Sequence, residues 1–179
     1  LAYLCSMTLP PLALSVRQPW AWAILHAGKD IENRSLGAIR SGRMEPGRIA
    51  LHAAAGMTEE EYRWAVLKMQ KTATQVPPPA ALPRGAIIGS VEVVEIVTQS
   101  DSPWFGHSAG LRLADPEPCP PIPAKGALGY FRWTPDGDLA PAKPWMRRYD
   151  SAEGLFDTLP LAFRDAPRAP YAKPSPKRS

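Results

Sequence analysis

The run Pro19-Trp20-Ala21-Trp22-Ala23-Ile24-Leu25-His26-Ala27-Gly28-Lys29-Asp30-Ile31-Glu32-Asn33-Arg34 takes the chain out of a helix and into an extended segment. Trp20, Ala23, Ile24 and Ala27 recur on one face of a 3.6-residue period, and Pro19 suits the first helical position, so the spacing predicts a short helix. Gly28 ends it as a left-handed cap, and Lys29 sits at the negative end of the helix dipole. Beyond the cap, alternation places Glu32 and Arg34 on one face and Ile31 on the other. Two readings follow from spacing alone. Lys29 only caps, and Glu32 and Arg34 form a surface ion pair worth at most about 1 kcal/mol; or Lys29 swings in to complete a charged site.

Downstream, residues 35–47 hold Arg40 and Arg43 among glycines and close on Pro46-Gly47, a turn signal, so a basic loop is expected there. Arg48 to Ala53 alternates as a strand with His52 opposite Ile49 and Leu51; a lone histidine in that place is more often structural than catalytic. Thr58 and Glu61 form a capping box before the apolar stripe of Tyr62, Val66 and Met69, which predicts the longest helix. The prolines of 76–83 make a stiff connector. Residues 85–97 are rich in β-branched residues, with a bend expected at Gly89. On that strand Glu92 either faces water or is buried against Lys29 or Arg34, since an unpaired buried carboxylate costs several kcal/mol.

Trp104 and Phe105 fall in a loop at 101–110, where they either stack on bases, at about 1–3 kcal/mol each, or cover one end of the sheet. A strand at 111–114, a proline-rich connector through Cys119, and a last strand at 127–133 follow. Lys125 stands at the mouth of that last strand, placed for a phosphate. Residues 135–179 are proline-rich and end basic; they are expected to form a partly disordered tail, in which Leu155-Phe156 and Leu159 to Phe163 are the segments able to dock. Residues 1–11 are expected to be a disordered extension, with Met7 read as the initiator.

At 179 residues and 45% hydrophobic, the chain suffices for one domain with its own core. It has no apolar run of about 18 residues, the length a membrane span needs. Two cysteines, one of them in a proline run, and three scattered histidines supply neither a disulfide framework nor zinc-ligand spacing. No metal or cofactor is expected, and the location expected is cytoplasmic. A formal charge of +4 favours an anionic partner.

Three separated blocks, Ser15 to Trp22, Lys29 to Arg34 and Lys125 to Gly129, resemble the ASCH domain family, a branch of the PUA-like β-barrels. Its G-x-K-x-x-E-x-R string is met at Lys29, Glu32 and Arg34, with the glycine displaced from position 27 to Gly28. The resemblance covers about residues 12–134. It implies an α+β fold, a small barrel with one short and one longer flanking helix, and RNA or nucleotide binding. Lys29, Arg34, Arg40, Arg43 and Lys125 would then meet phosphates, and Trp20, Trp104 or Phe105 would stack a base. The alternative is a metal-independent hydrolase of RNA or of an acylated or modified cytidine, with Lys29 and Glu92 as acid and base and Glu32 beside them. Small relatives that hydrolyse acetylcytidine carry threonine where this chain has Glu32, which weighs against the same reaction. A protein partner for the C-terminal tail is a third possibility.

Overall fold

The computed structural model describes residues 8–71 and 75–149. Residues 1–7, with Cys5 and Met7, and the tail segments beyond Tyr149 lie outside the described residues; residues 8–11 of the expected extension are described, and there the Pro10 carbonyl accepts from Trp133 Nε1 at 2.8 Å. Six strands, β1 (Leu12–Val16), β2 (Ile31–Asn33), β3 (Gly47–Ala53), β4 (Ala86–Val97), β5 (Gly110–Pro123) and β6 (Tyr130–Arg132), form one sheet in the order β2-β5-β4-β3-β1-β6. The β1/β3 pair is parallel and the others are antiparallel. Three helices accompany it: α1 (Trp20–His26), α2 (Leu36–Ser41) and α3 (Glu59–Gln70).

The α+β class holds, but the ladder does not close into the expected barrel. It ends at β2 and β6, both three residues long. Pairing of β1 with β6 stops at Leu14, and the next carbonyl, that of Ser15, accepts from the Arg34 guanidinium at 2.7 Å. A side chain from the far end of the sheet stands where a closing strand would stand.

Inside the curl, Leu14, Leu51, Val91, Val93 and Leu111 pack with Ala21 and Ile24 of α1. The other flank of α1 meets α3 through Ala23, Ile31, Tyr62 and Met69. The cap at Gly28 is as expected, with φ +66° and the Lys29 N–H turned back to the Ala23 carbonyl at 3.1 Å. The capping box of α3 forms in full: Thr58 Oγ1 accepts from the Glu61 N–H at 3.1 Å, and Glu61 Oε2 accepts from the Thr58 N–H at 2.8 Å.

Two segments depart from expectation. Residues 36–41, assigned to a basic loop, are helix α2: Ser35 Oγ accepts from the Ala38 N–H at 3.1 Å, and Ile39 is buried in the main core. Burial of Ile39 and a serine cap outweigh the glycine at position 37. The proline run after Ala114, assigned to a connector, is the outer half of β5, with Glu117 opposite Ser90 and Pro123 opposite Ala86. Strand β2 covers β5 only as far as Arg112, so the prolines from 116 onward lie where one edge of β5 has no partner strand, the place where a missing N–H is tolerated.

Residues 135–149, assigned to the tail, pack on the body. Arg84, buried with no carboxylate partner among the described residues, donates to the carbonyls of Ala55, Ala140 and Pro141. Met146 is fully buried in the cluster around α3. Met146→Ala is expected to cost about 2–5 kcal/mol in urea unfolding, the usual loss for a buried methionine; a segment that merely trailed from the domain would give no change.

Candidate functional site

The cap of α1 throws Lys29 inward, and the extended backbone after it brings two further charges to the same place. Lys29 is 5% exposed and its ammonium donates to the Ile31 carbonyl and, at 2.9 Å, to Glu32 Oε2. Glu32 is 8% exposed, and its other oxygen accepts from Arg34 Nε at 3.2 Å. The surface ion pair is thereby excluded: this is a buried carboxylate between two cations. Burial alone would push the Glu32 carboxyl up, and Lys29 and Arg34 more than offset it, leaving it below its ordinary value. Two cations against one carboxylate leave a surplus positive charge.

Arg34 is fixed from two sides. Nε and NH2 face Glu32 Oε1, and NH2 also donates to Ser15 O at 2.7 Å; NH1 has no partner among the described residues, and the side chain is partly exposed. A guanidinium held in this way points a pair of N–H donors in one direction. Beside the cluster, Ile24, Gly28, Lys29, Val91, Leu113 and Pro116 line a shallow cleft of about 90 Å³. A larger groove of about 190 Å³ lies between α1 and the proline segments, lined by Trp22, His26, Pro83 and Pro118, and includes none of the three charged residues.

The remaining candidates are distributed unevenly. Glu92 is half-buried between Val91 and Val93, whose side chains fill the core, so it shares the opposite face with Ser90 and the register partner Arg48. It is not among the partners of Lys29. Of the two readings for Trp104, burial holds over an open stacking ring: it is 5% exposed and packs in the core around α3, with Lys68 Nζ 5.3 Å from the ring centre. Phe105 and Trp20 are half-buried against that core. Arg40 and Arg43 are exposed at the end of α2, and Lys125 is exposed and paired with Asp136 at 2.9 Å.

Two residues of the same run carry a duty that the sequence reading missed. Asn33 donates to the Trp104 carbonyl at 2.8 Å and accepts from the Gly106 N–H at 3.0 Å, while Asp30 accepts from Ser102 Oγ. They tie the 101–109 loop to the site. Their signal was position alone, on either side of the charged residues.

His52, 1% exposed, lies behind Ser15. Its Nε2 meets the Ala124 carbonyl at 2.9 Å, and because a carbonyl only accepts, that nitrogen bears the proton. Nδ1 therefore accepts from Ser15 Oγ, 2.8 Å away. Burial pushes the imidazole down from its ordinary value, with the Ala124 carbonyl acting the other way. Among the described residues, no three His, Cys, Asp or Glu side chains group to hold a metal ion, and no helix is long and apolar enough to cross a membrane.

Fold and site together define a curled six-stranded α+β domain with a buried Lys-Glu-Arg cluster at its open seam. The family model described as the ASCH domain matches residues 14–144, and the chain belongs to that family. No curated protein matches it.

Because the Glu32 carboxyl is lower in the folded chain than unfolded, its contribution to stability is complete above about pH 4.5 and is lost as pH falls through the folded value. Urea midpoints taken from neutral to acid pH are expected to show this loss, and Glu32→Gln is expected to remove that part of the pH dependence. The same substitution should cost about 3–5 kcal/mol at neutral pH, the usual result of breaking a buried pair.

Proposed function

We propose that the protein binds RNA or a nucleotide through its phosphate groups, at a basic cleft built around Lys29, Glu32 and Arg34. The observation that carries this reading is the state of Arg34, with two nitrogens committed to Glu32 and Ser15, NH1 without a partner among the described residues, and the side chain partly exposed beside a cluster of surplus positive charge. Planar donors fixed in advance lose little freedom on meeting a phosphate. Lys29 is too enclosed to reach a ligand first, so its part is to hold Glu32, which in turn aims Arg34. Arg40, Arg43 and Lys125 add exposed charge, and Trp20 and Phe105 are the candidate rings that stay half-buried rather than buried. Membership of the ASCH family, whose PUA-like relatives include RNA binders, supports the same reading.

Binding is preferred to hydrolysis by Lys29 and Glu92, because an acid and a base must reach the same bond, whereas Glu92 lies on the face of β4 opposite the core-facing Val91 and Val93 and is not a partner of Lys29. The test is fluorescence anisotropy with single-stranded RNA and with nucleotides at several salt concentrations. Arg34→Ala is expected to weaken binding and reduce the salt slope by about one. Arg34→Lys should keep the slope and still lose affinity, since the charge survives and the fork does not. Absence of saturable binding at low salt would remove the reading.

A further inference from the structure

Between β5 and β6 the segment Lys125-Gly126-Ala127-Leu128-Gly129 is solvent-facing yet anchored near both ends. A Cβ on Gly126 would stand 2.6 Å from His52 Cε1 and 3.0 Å from Ser15 Oγ, so the backbone lies directly on the Ser15–His52 pair. At the other end Gly129 has φ +69°, and a Cβ there would stand 2.5 Å from Gly42 Cα; the next N–H, that of Tyr130, donates to the Gly42 carbonyl at 2.9 Å. His52 adds a tie through the Ala124 carbonyl.

The consecutive N–H groups of residues 125–129 find no acceptor among the described residues, and the side chain of Leu128 between the anchors is 96% exposed. These anchors also order the cations. Ser15, under Gly126, is the residue whose carbonyl holds Arg34, and Gly42, against Gly129, directly precedes Arg43. Lys125 begins the segment, joined among the described residues to the exposed carboxylate of Asp136. The segment is thus tied near one end to the residue that holds Arg34 and at the other to the neighbour of Arg43, with Lys125 at its start and a row of unused backbone donors along it.

We propose that the 125–129 segment is a phosphate cradle, in which main-chain N–H groups hold a backbone phosphate of a single-stranded polynucleotide running from Arg34 toward Arg43. The site extends the binding reading above and rests on it for the identity of the ligand. Successive main-chain donors in a fixed turn form an anion-binding concavity, and glycine at 126 and 129 is what lets the turn lie this close to the sheet and to α2. His52 and Ser15 act as positioning residues beneath it.

The experiment is amide NMR of the full chain, titrated in one arm with a short single-stranded oligoribonucleotide and in the other with inorganic phosphate. The amides of Gly126, Ala127, Leu128 and Gly129 are expected to shift saturably in the first arm, together with Arg34 Nε–H, and at higher concentration in the second. Ala127→Pro, which deletes a donor and no charge, should weaken oligonucleotide binding roughly tenfold with the salt slope unchanged. Lys125→Ala should lower that slope by about one. Saturation by oligonucleotide with these amides unmoved overturns the cradle and leaves the binding function standing. Amides that answer phosphate while no oligonucleotide binds keep the cradle and remove the nucleic-acid reading. Silence in both arms removes both. If Ala127→Pro fails to fold, the amide shifts of the unaltered chain decide.

Discussion

The carboxylate of Glu32 is nearly cut off from water and stays ionised because two cations reach it from opposite sides. Desolvating a charge costs several kcal/mol unless partners of good geometry answer it, so the three side chains stand or fall together. Each is delivered by a different piece of local structure: Lys29 by the cap of α1, Glu32 by β2, and Arg34 by the turn into α2. Arg34 then carries the constraint across the open seam to Ser15. One ion cluster thereby fixes the exit of a helix, an edge strand and the place where the sheet fails to close.

That arrangement has a chemical consequence. A guanidinium used on two sides cannot wander, and its remaining donors have a set direction. The same seam gathers the 125–129 segment, because the β1 position that gives its carbonyl to Arg34 gives its hydroxyl to His52. Charge that would be diffuse on a disordered loop is arranged on rigid supports. Pre-orientation of this kind reduces the ordering cost of binding rather than adding contact area.

Signals that act within a few residues were legible. Gly28 as a cap, the box of Thr58 and Glu61, the buried stripe of α3 and the shared side of Glu32 and Arg34 all follow from periodicity and short-range hydrogen bonding. Helix α2 was hidden because its cap is a single serine and its buried face amounts to Ile39. The outer half of β5 was hidden because proline argues against a strand unless the strand has a free edge, and whether an edge is free depends on how far β2 extends. Whether Trp104 stacks on bases or covers the sheet stayed open in the sequence, because an aromatic residue among glycine and serine fits either place; Asn33 and Asp30, many positions away, tie that loop to the body, and Trp104 is buried.

The amino-acid sequence by itself determined the family, the α+β class, the three charges and the common face of Glu32 and Arg34, since each depends on the order of neighbours along the chain. Tertiary structure decided that Lys29 and Glu32 are buried and Arg34 only partly so, that the sheet ends in a seam bridged by Arg34, that Glu92 is not a partner of Lys29, and that residues up to Tyr149 pack on the body. Burial and long-range pairing are set by which distant segments come to lie against one another, and no short window of sequence contains both partners.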